Sequence, residues 1–181
     1  MKKFFSWFFI IQALSLLTVG AYAYYETQVP SQLAFTDYSV AKTITTQGLT
    51  PNRITISDLG IDLPVYQATI VNNVWPTTTK GASYLSSSPL PGNTGNSIIY
   101  AHNWESLFGH LRNAKVGEKV VVTFPDHTKK TFVITYTSVV PSNQASILAP
   151  STDNRITLYT CTGFLDSQRF VAVAILKNKS S

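Results

Sequence analysis

Thr157-Leu158-Tyr159-Thr160-Cys161, followed eight positions later by Arg169-Phe170-Val171-Ala172-Val173-Ala174, is the stretch on which the fold turns. Side chains of a strand alternate, so Leu158 and Thr160 face one way while Thr157, Tyr159 and Cys161 face the other. The linker Thr162 to Gln168 is short enough to bring the second run back antiparallel, setting Arg169 near Cys161. Arg169 shares a face with Val171 and Val173, an unusual place for a guanidinium unless it lies at an open strand end or meets an anion.

Outward from this pair, the chain after Asn52 has the same texture of short β-rich runs between turn residues, with no internal repeat and no sustained helical period. Further strands are expected at Arg53 to Ile56, Leu63 to Gln67, Ser97 to Ala101, Lys119 to Phe124 and Thr131 to Val140, besides Ile156 to Cys161 and Phe170 to Leu176. Pro125-Asp126-His127-Thr128 suits a hairpin turn, because proline presets φ and the aspartate bonds its own backbone. Trp104 to Asn113 is the best short-helix segment. Seven or eight short strands must bury apolar faces and protect their edges, and a closed or nearly closed all-β barrel does both.

The 181-residue length accommodates one such domain plus a tail. The composition, 44% hydrophobic and 13% charged, excludes disorder throughout. The formal charge is +5, but Lys2 and Lys3 contribute +2, leaving +3 for the rest. Those remaining bases are scattered and Lys129-Lys130 belongs to a solvated turn, so no nucleic-acid groove is expected. One cysteine rules out an internal disulfide and a multi-thiolate zinc site, leaving Cys161 as packing or as chemistry.

Phe4 to Tyr25 carries no charge, and as a helix this run spans roughly 33 Å against about 30 Å of bilayer hydrocarbon. It predicts a transmembrane helix within residues 1–25, with Lys2 and Lys3 cytoplasmic and the domain outside the cell membrane. Ala21-Tyr22-Ala23 offers the competing reading of a signal peptide cleaved after Ala23. Residues 26–51, rich in Thr, Ser and Gln, read as a stalk, and 52–181 as the functional domain.

Three histidines are available as a base. His127 falls in the hairpin turn and His110 in the short helix, which suits structural roles, whereas His102 ends an apolar strand where a barrel rim meets neighbouring strand ends. Alone, His102 reads as structural and a buried Cys161 as inert. Together with Arg169 they form the set that acyl transfer needs.

At these residues the chain resembles a sortase, the membrane-anchored cysteine transpeptidases of bacterial surfaces. Thr157-Leu158-Tyr159-Thr160-Cys161 fits that family's Thr-Leu-x-Thr-Cys signature, His102 follows a strand, Arg169 opens the last strand, and the likeness covers about Pro51 to Leu176. The resemblance implies an eight-stranded β-barrel with Cys161 as nucleophile on the Thr carbonyl of a Leu-Pro-x-Thr-Gly-like sorting signal. It further implies His102 as proton donor and acceptor that supports a thiolate, and Arg169 as oxyanion donor. The implied partners are surface proteins carrying such signals, an amine on a cell-wall precursor or another protein, and the membrane. Pro141 to Pro150 corresponds to the loop walling the signal groove, so Ala145, Ile147 and Leu148, with Thr160 beside the nucleophile, are the expected substrate contacts; simple packing of the loop is an equal alternative.

Departures from family subtypes point to a compact housekeeping-like or class D or E-like member. No Asp-Pro-aromatic lid motif precedes the domain, and the loop before Arg155 is too short for a helical insertion. Carboxylates near the expected site amount to Asp153 and Glu105, so neither a metal nor another cofactor is expected. A sorting-signal-directed cysteine hydrolase and a non-catalytic binding barrel are the competing functions.

Overall fold

The computed structural model describes residues 2–26, 33–38, 48–72 and 74–177. Eight strands follow the long N-terminal helix α1 (Lys2–Glu26): β1 (Arg53–Ile56), β2 (Ile61–Ala68), β3 (Ala82–Leu85), β4 (Gly95–Tyr100), β5 (Lys119–Thr123), β6 (Lys129–Pro141), β7 (Asn154–Thr162) and β8 (Gln168–Leu176). They close into a barrel in the order β1-β2-β3-β4-β7-β8-β6-β5, so no strand edge is left to template aggregation. Two pairings, β2 with β3 and β4 with β7, are parallel and the rest antiparallel.

The closed all-β barrel and the seven expected strands are present, with ends shifted by a few residues. β3 is the addition: Ala82-Ser83-Tyr84-Leu85 is buried at all four positions, so it lacks the polar alternation by which a half-exposed strand is recognised. The expected helix at Trp104 to Asn113 condenses to turns and a short 3₁₀ segment, Gly109–Asn113. The hairpin between β5 and β6 closes with Phe124 N–H donating to Thr128 O (3.0 Å) and His127 at φ 64°.

The transmembrane expectation is overturned. Among the described residues, no helix is long and apolar enough to cross a membrane. The single-pass topology, with cytoplasmic N-terminus and extracytoplasmic domain, loses its support with it. Within 26–51, residues 27–32 and 39–47 lie outside the described residues, while Leu33 and Phe35 are buried against the barrel.

Two apolar layers result from strand alternation. Ile54, Ile99, Val120, Phe132, Ile134, Leu158, Phe170 and Ala172 point inward and fill the barrel. The opposite face of β4, β7 and β8 presents Ile98, Tyr100, Tyr159, Cys161, Val171 and Val173, a second layer covered by Leu33, Phe35, Trp75, Ala145 and Leu148. Phe132→Ala is expected to lower unfolding free energy by about 3–5 kcal/mol, and Val139→Ala, half exposed on the same strand, by less than about 1 kcal/mol, as read from urea denaturation.

Candidate active site

Strand register assembles the site. The parallel ladder pairs Tyr100 of β4 with Tyr159 of β7, and beyond it Ala101 N–H donates to Tyr159 O (3.4 Å). The Thr160 hydroxyl then donates to Ala101 O (2.8 Å), holding the chain leaving β4 beside β7. Two positions past the tyrosines come His102, just beyond the end of β4, and Cys161, on the outer face of β7. The antiparallel ladder pairs Cys161 with Arg169. Three strands thus bring the three expected residues to one end of the barrel, and all are buried: His102 is 5%, Cys161 2% and Arg169 3% exposed.

Each side chain is held by neighbours. The His102 ring stacks on Trp104, with centroids 4.7 Å apart and planes 13° from parallel. Its carbonyl accepts from Phe108 N–H (3.0 Å), which turns the loop after β4 back on itself. Arg169 Nη1 donates to the carbonyls of Asp166 (2.7 Å) and Gln168 (2.9 Å), and Nη2 to Ala34 O (2.8 Å). Its buried Nε–H has no acceptor among the described residues. An unsatisfied buried donor costs about 1–3 kcal/mol, so this one calls for an acceptor such as a water, an ion or a bound oxygen.

Residues 33–38 lie across this face like a strap. The Tyr159 hydroxyl donates to Leu33 O (3.1 Å), Phe35 meets the Tyr159 ring edge to face at 5.1 Å, and Phe35 lies 5.8 Å from the Arg169 guanidinium. Thr36 N–H donates to Ser142 O (3.0 Å), and the Asp37 carboxylate accepts from Ala145 N–H (2.9 Å). Tyr38 packs edge to face on Trp75, which packs in turn on Tyr100. Beyond the strap a cavity of about 300 Å³ is lined by Tyr38, Ser87, Ile98, Ala145, Leu148 and Ala149, among others.

Burial sets the electrostatics. It pushes the Cys161 thiol up to about 12; the Arg169 charge opposes this and the Asp166 carboxylate adds to it. Burial lowers the His102 imidazole below its ordinary value. The resting pair near neutral pH is therefore a thiol and a neutral imidazole rather than a standing thiolate–imidazolium pair. Asp166 is raised chiefly by burial, against the pull of Arg169, the Asn103 hydrogen bond and Arg112.

Of the expected substrate contacts, Ala145 and Leu148 line the cavity and Ile147 packs half-buried beside them. Thr160 faces the other side of β7, fully buried on Ala101 O, and reaches no groove. His110 binds Leu59 O (3.1 Å) and His127 stays in the hairpin, both away from the thiol. Asp153 is engaged by Arg155, and among the described residues no group of three His, Cys, Asp or Glu is placed to hold a metal ion. Sequence reasoning missed Trp104, Asn103, Asp166 and the strap residues Ala34 and Phe35; the aromatic beside His102 was the one signal of these in plain view.

Comparison with known proteins agrees with this geometry. The family model described as "Sortase domain" matches residues 54–177. Sortase A of Listeria monocytogenes is 27% identical over 128 residues, covering 68% of this chain and 55% of the relative, so the chain spans about half the length of the curated relative it matches. The crystal structure of Listeria monocytogenes sortase A superposes with TM-score 0.57 at 25% identity, covering 72% of this chain and 89% of that one. Sortase A from Corynebacterium diphtheriae gives TM-score 0.61 at 24% identity over 75% of this chain and 63% of that one, a likeness of fold.

A thiol held near 12 is almost wholly protonated at neutral pH, and each unit by which the pH rises toward that value multiplies its thiolate by about ten. Alkylation of Cys161 by iodoacetamide is expected to be slow at about pH 7 and to keep rising through about pH 10 without a plateau. Phe35→Ala, which loosens the strap, should accelerate it several-fold at every pH; liquid chromatography–mass spectrometry of the labelled peptide measures both.

Proposed function

The chain belongs to the sortase family, and from that premise we propose that it is a cysteine transpeptidase acting on sorting-signal peptides. The observation that carries the reading is the buried Nε–H of Arg169, without an acceptor among the described residues, on the residue paired across the ladder with the only thiol. An inert packing cysteine has no need of a desolvated cation with an open donor.

In the proposed reaction Cys161 Sγ, as thiolate, attacks the Thr carbonyl carbon of a Leu-Pro-x-Thr-Gly-like or Leu-Ala-x-Thr-Gly-like peptide. The carbonyl oxygen becomes an oxyanion that accepts from Arg169, a contribution of about 3 kcal/mol where such donors have been removed from other enzymes. His102, protonated as the thiol loses its proton, delivers that proton to the Gly nitrogen; the C–N bond breaks and a thioester remains. An amine then attacks the thioester carbonyl, His102 takes its proton, and the new amide leaves with Cys161 restored. The acceptor is an amine of a cell-wall precursor or of another surface protein, by analogy with the family.

The strap constrains this sequence. Ala34 O holds an Arg169 donor, and Leu33 and Phe35 cover the apolar floor of Tyr159 and Val171. An extended peptide with apolar side chains would displace residues 33–38, exchanging Ala34 O for its own acceptor. Ala145, Ile147 and Leu148 would then flank the peptide's apolar end.

Incubation of the enzyme with such peptides and triglycine, followed by chromatography and mass spectrometry, is expected to yield the peptide–triglycine amide. Cys161→Ala should abolish the product, and His102→Ala and Arg169→Ala should lower kcat/KM by about a hundredfold or more without unfolding the barrel. The pH profile should be bell-shaped, its acid limb set by the lowered His102 and its alkaline limb by the raised Cys161. Hydrolysed peptide alone would make the protein a hydrolase, and an Arg169→Ala enzyme of unchanged rate would remove Arg169 from the mechanism.

A further inference from the structure

The turn joining β7 to β8 is wound unlike the other turns of the barrel. Gly163 sits at φ 82°, ψ 178°, a region open in practice to glycine alone. Leu165 (φ 49°) and Asp166 (φ 56°) follow in the left-handed region, which an aspartate adopts readily and a leucine only at a cost. Strain of this kind persists where surrounding contacts over-determine the backbone. Its result is to leave Phe164 and Leu165 exposed while turning Asp166 inward to 8% exposure.

Asp166 then makes two contacts that join separate parts of the site. Its carboxylate Oδ1 accepts from Asn103 Nδ2 (3.0 Å), the residue directly after His102 on the loop leaving β4. Its carbonyl accepts from Arg169 Nη1 (2.7 Å). One residue thus spans from the histidine's loop to the arginine's head, with Cys161 on the strand between.

We propose that Asp166 is a positioning residue, clamping the His102 loop through Asn103 and the Arg169 guanidinium through its carbonyl so that both stay registered on Cys161. The clamp rests on the catalytic reading above for its purpose, but its geometry stands apart from it. The charged groups facing the carboxylate are Arg169 on β8, Arg112 on the 3₁₀ turn at Gly109–Asn113 and the Cys161 thiol on β7. A negative charge there opposes thiolate formation, so the carboxylate's charge and its hydrogen bond pull in different directions. The two are separable by substitution.

The test compares Asp166→Ala, Asp166→Asn and Asn103→Ala with wild type, measuring kcat/KM for transpeptidation and the pH dependence of Cys161 alkylation. Asp166→Asn keeps an acceptor for Asn103 without the charge: its kcat/KM should stay within about threefold of wild type, and its alkylation rate at a given pH should rise. Asp166→Ala and Asn103→Ala should each lower kcat/KM at least tenfold, and the double variant should be no worse than either, because both cut one contact. Only Asp166→Ala of this pair should also raise alkylation.

Unchanged kcat/KM in both alanine variants, or losses that multiply in the double variant, would overturn the clamp. If Asp166→Ala fails to fold, Asn103→Ala at the less buried end of the same bond decides. If wild type shows no transpeptidation, the catalytic reading fails on its own and amide hydrogen exchange of residues 102–108 decides the clamp: exchange in Asn103→Ala equal to that in wild type would overturn it, and faster exchange would support it.

Discussion

The parallel ladder of β4 on β7, running from Gly95 against Asn154 to Tyr100 against Tyr159, is the constraint on which the rest depends. Parallel pairing between these strands requires the chain to go around β5 and β6 first, so residues 102 and 161 become neighbours only when the barrel closes. A slip of one residue would turn Cys161 toward the barrel interior and Thr160 outward. The stacked rings of Tyr100 and Tyr159, 5.3 Å apart, and the Thr160 hydroxyl on Ala101 O both resist that slip. The antiparallel turn to β8 then adds Arg169 across from the thiol.

Burial gives this arrangement its chemical character and its cost. Desolvation drives Cys161 and His102 toward their neutral forms, while Arg169, a permanent cation, keeps one donor without an acceptor among the described residues. Interactions inside such a site are stronger than in water, so an anion brought beside the guanidinium there would be held more strongly than at the surface. Residues 33–38 complete the burial, occupying an apolar face that would otherwise stand open to water.

Much of this was legible in particular residues. The alternation in Thr157 to Cys161 placed Tyr159 and Cys161 on one face and Leu158 on the other, and that is how the two apolar layers divide. The return of Arg169 to Cys161 followed from linker length alone. β3 was hidden because a strand buried on both faces carries no alternation. The strap was hidden because Leu33 and Phe35 are two apolar residues in a polar stretch, and only tertiary contacts give them meaning. Asp166 was hidden because nothing local announces a left-handed aspartate in a turn that already holds a glycine. For α1, freedom from charge predicted a membrane span, and among the described residues no helix is long and apolar enough to cross a membrane.

Intact-mass spectrometry of the protein mixed with pooled Leu-Pro-x-Thr-Gly and Leu-Ala-x-Thr-Gly peptides tests the central claim most directly, since it looks for the bond Cys161 is placed to make. The account predicts a mass increase equal to the peptide's acyl portion through Thr, reversed by hydroxylamine and absent from Cys161→Ala. An unchanged mass in a folded wild-type protein, with the peptides intact and Cys161 alkylating no differently in Arg169→Ala, would contradict it.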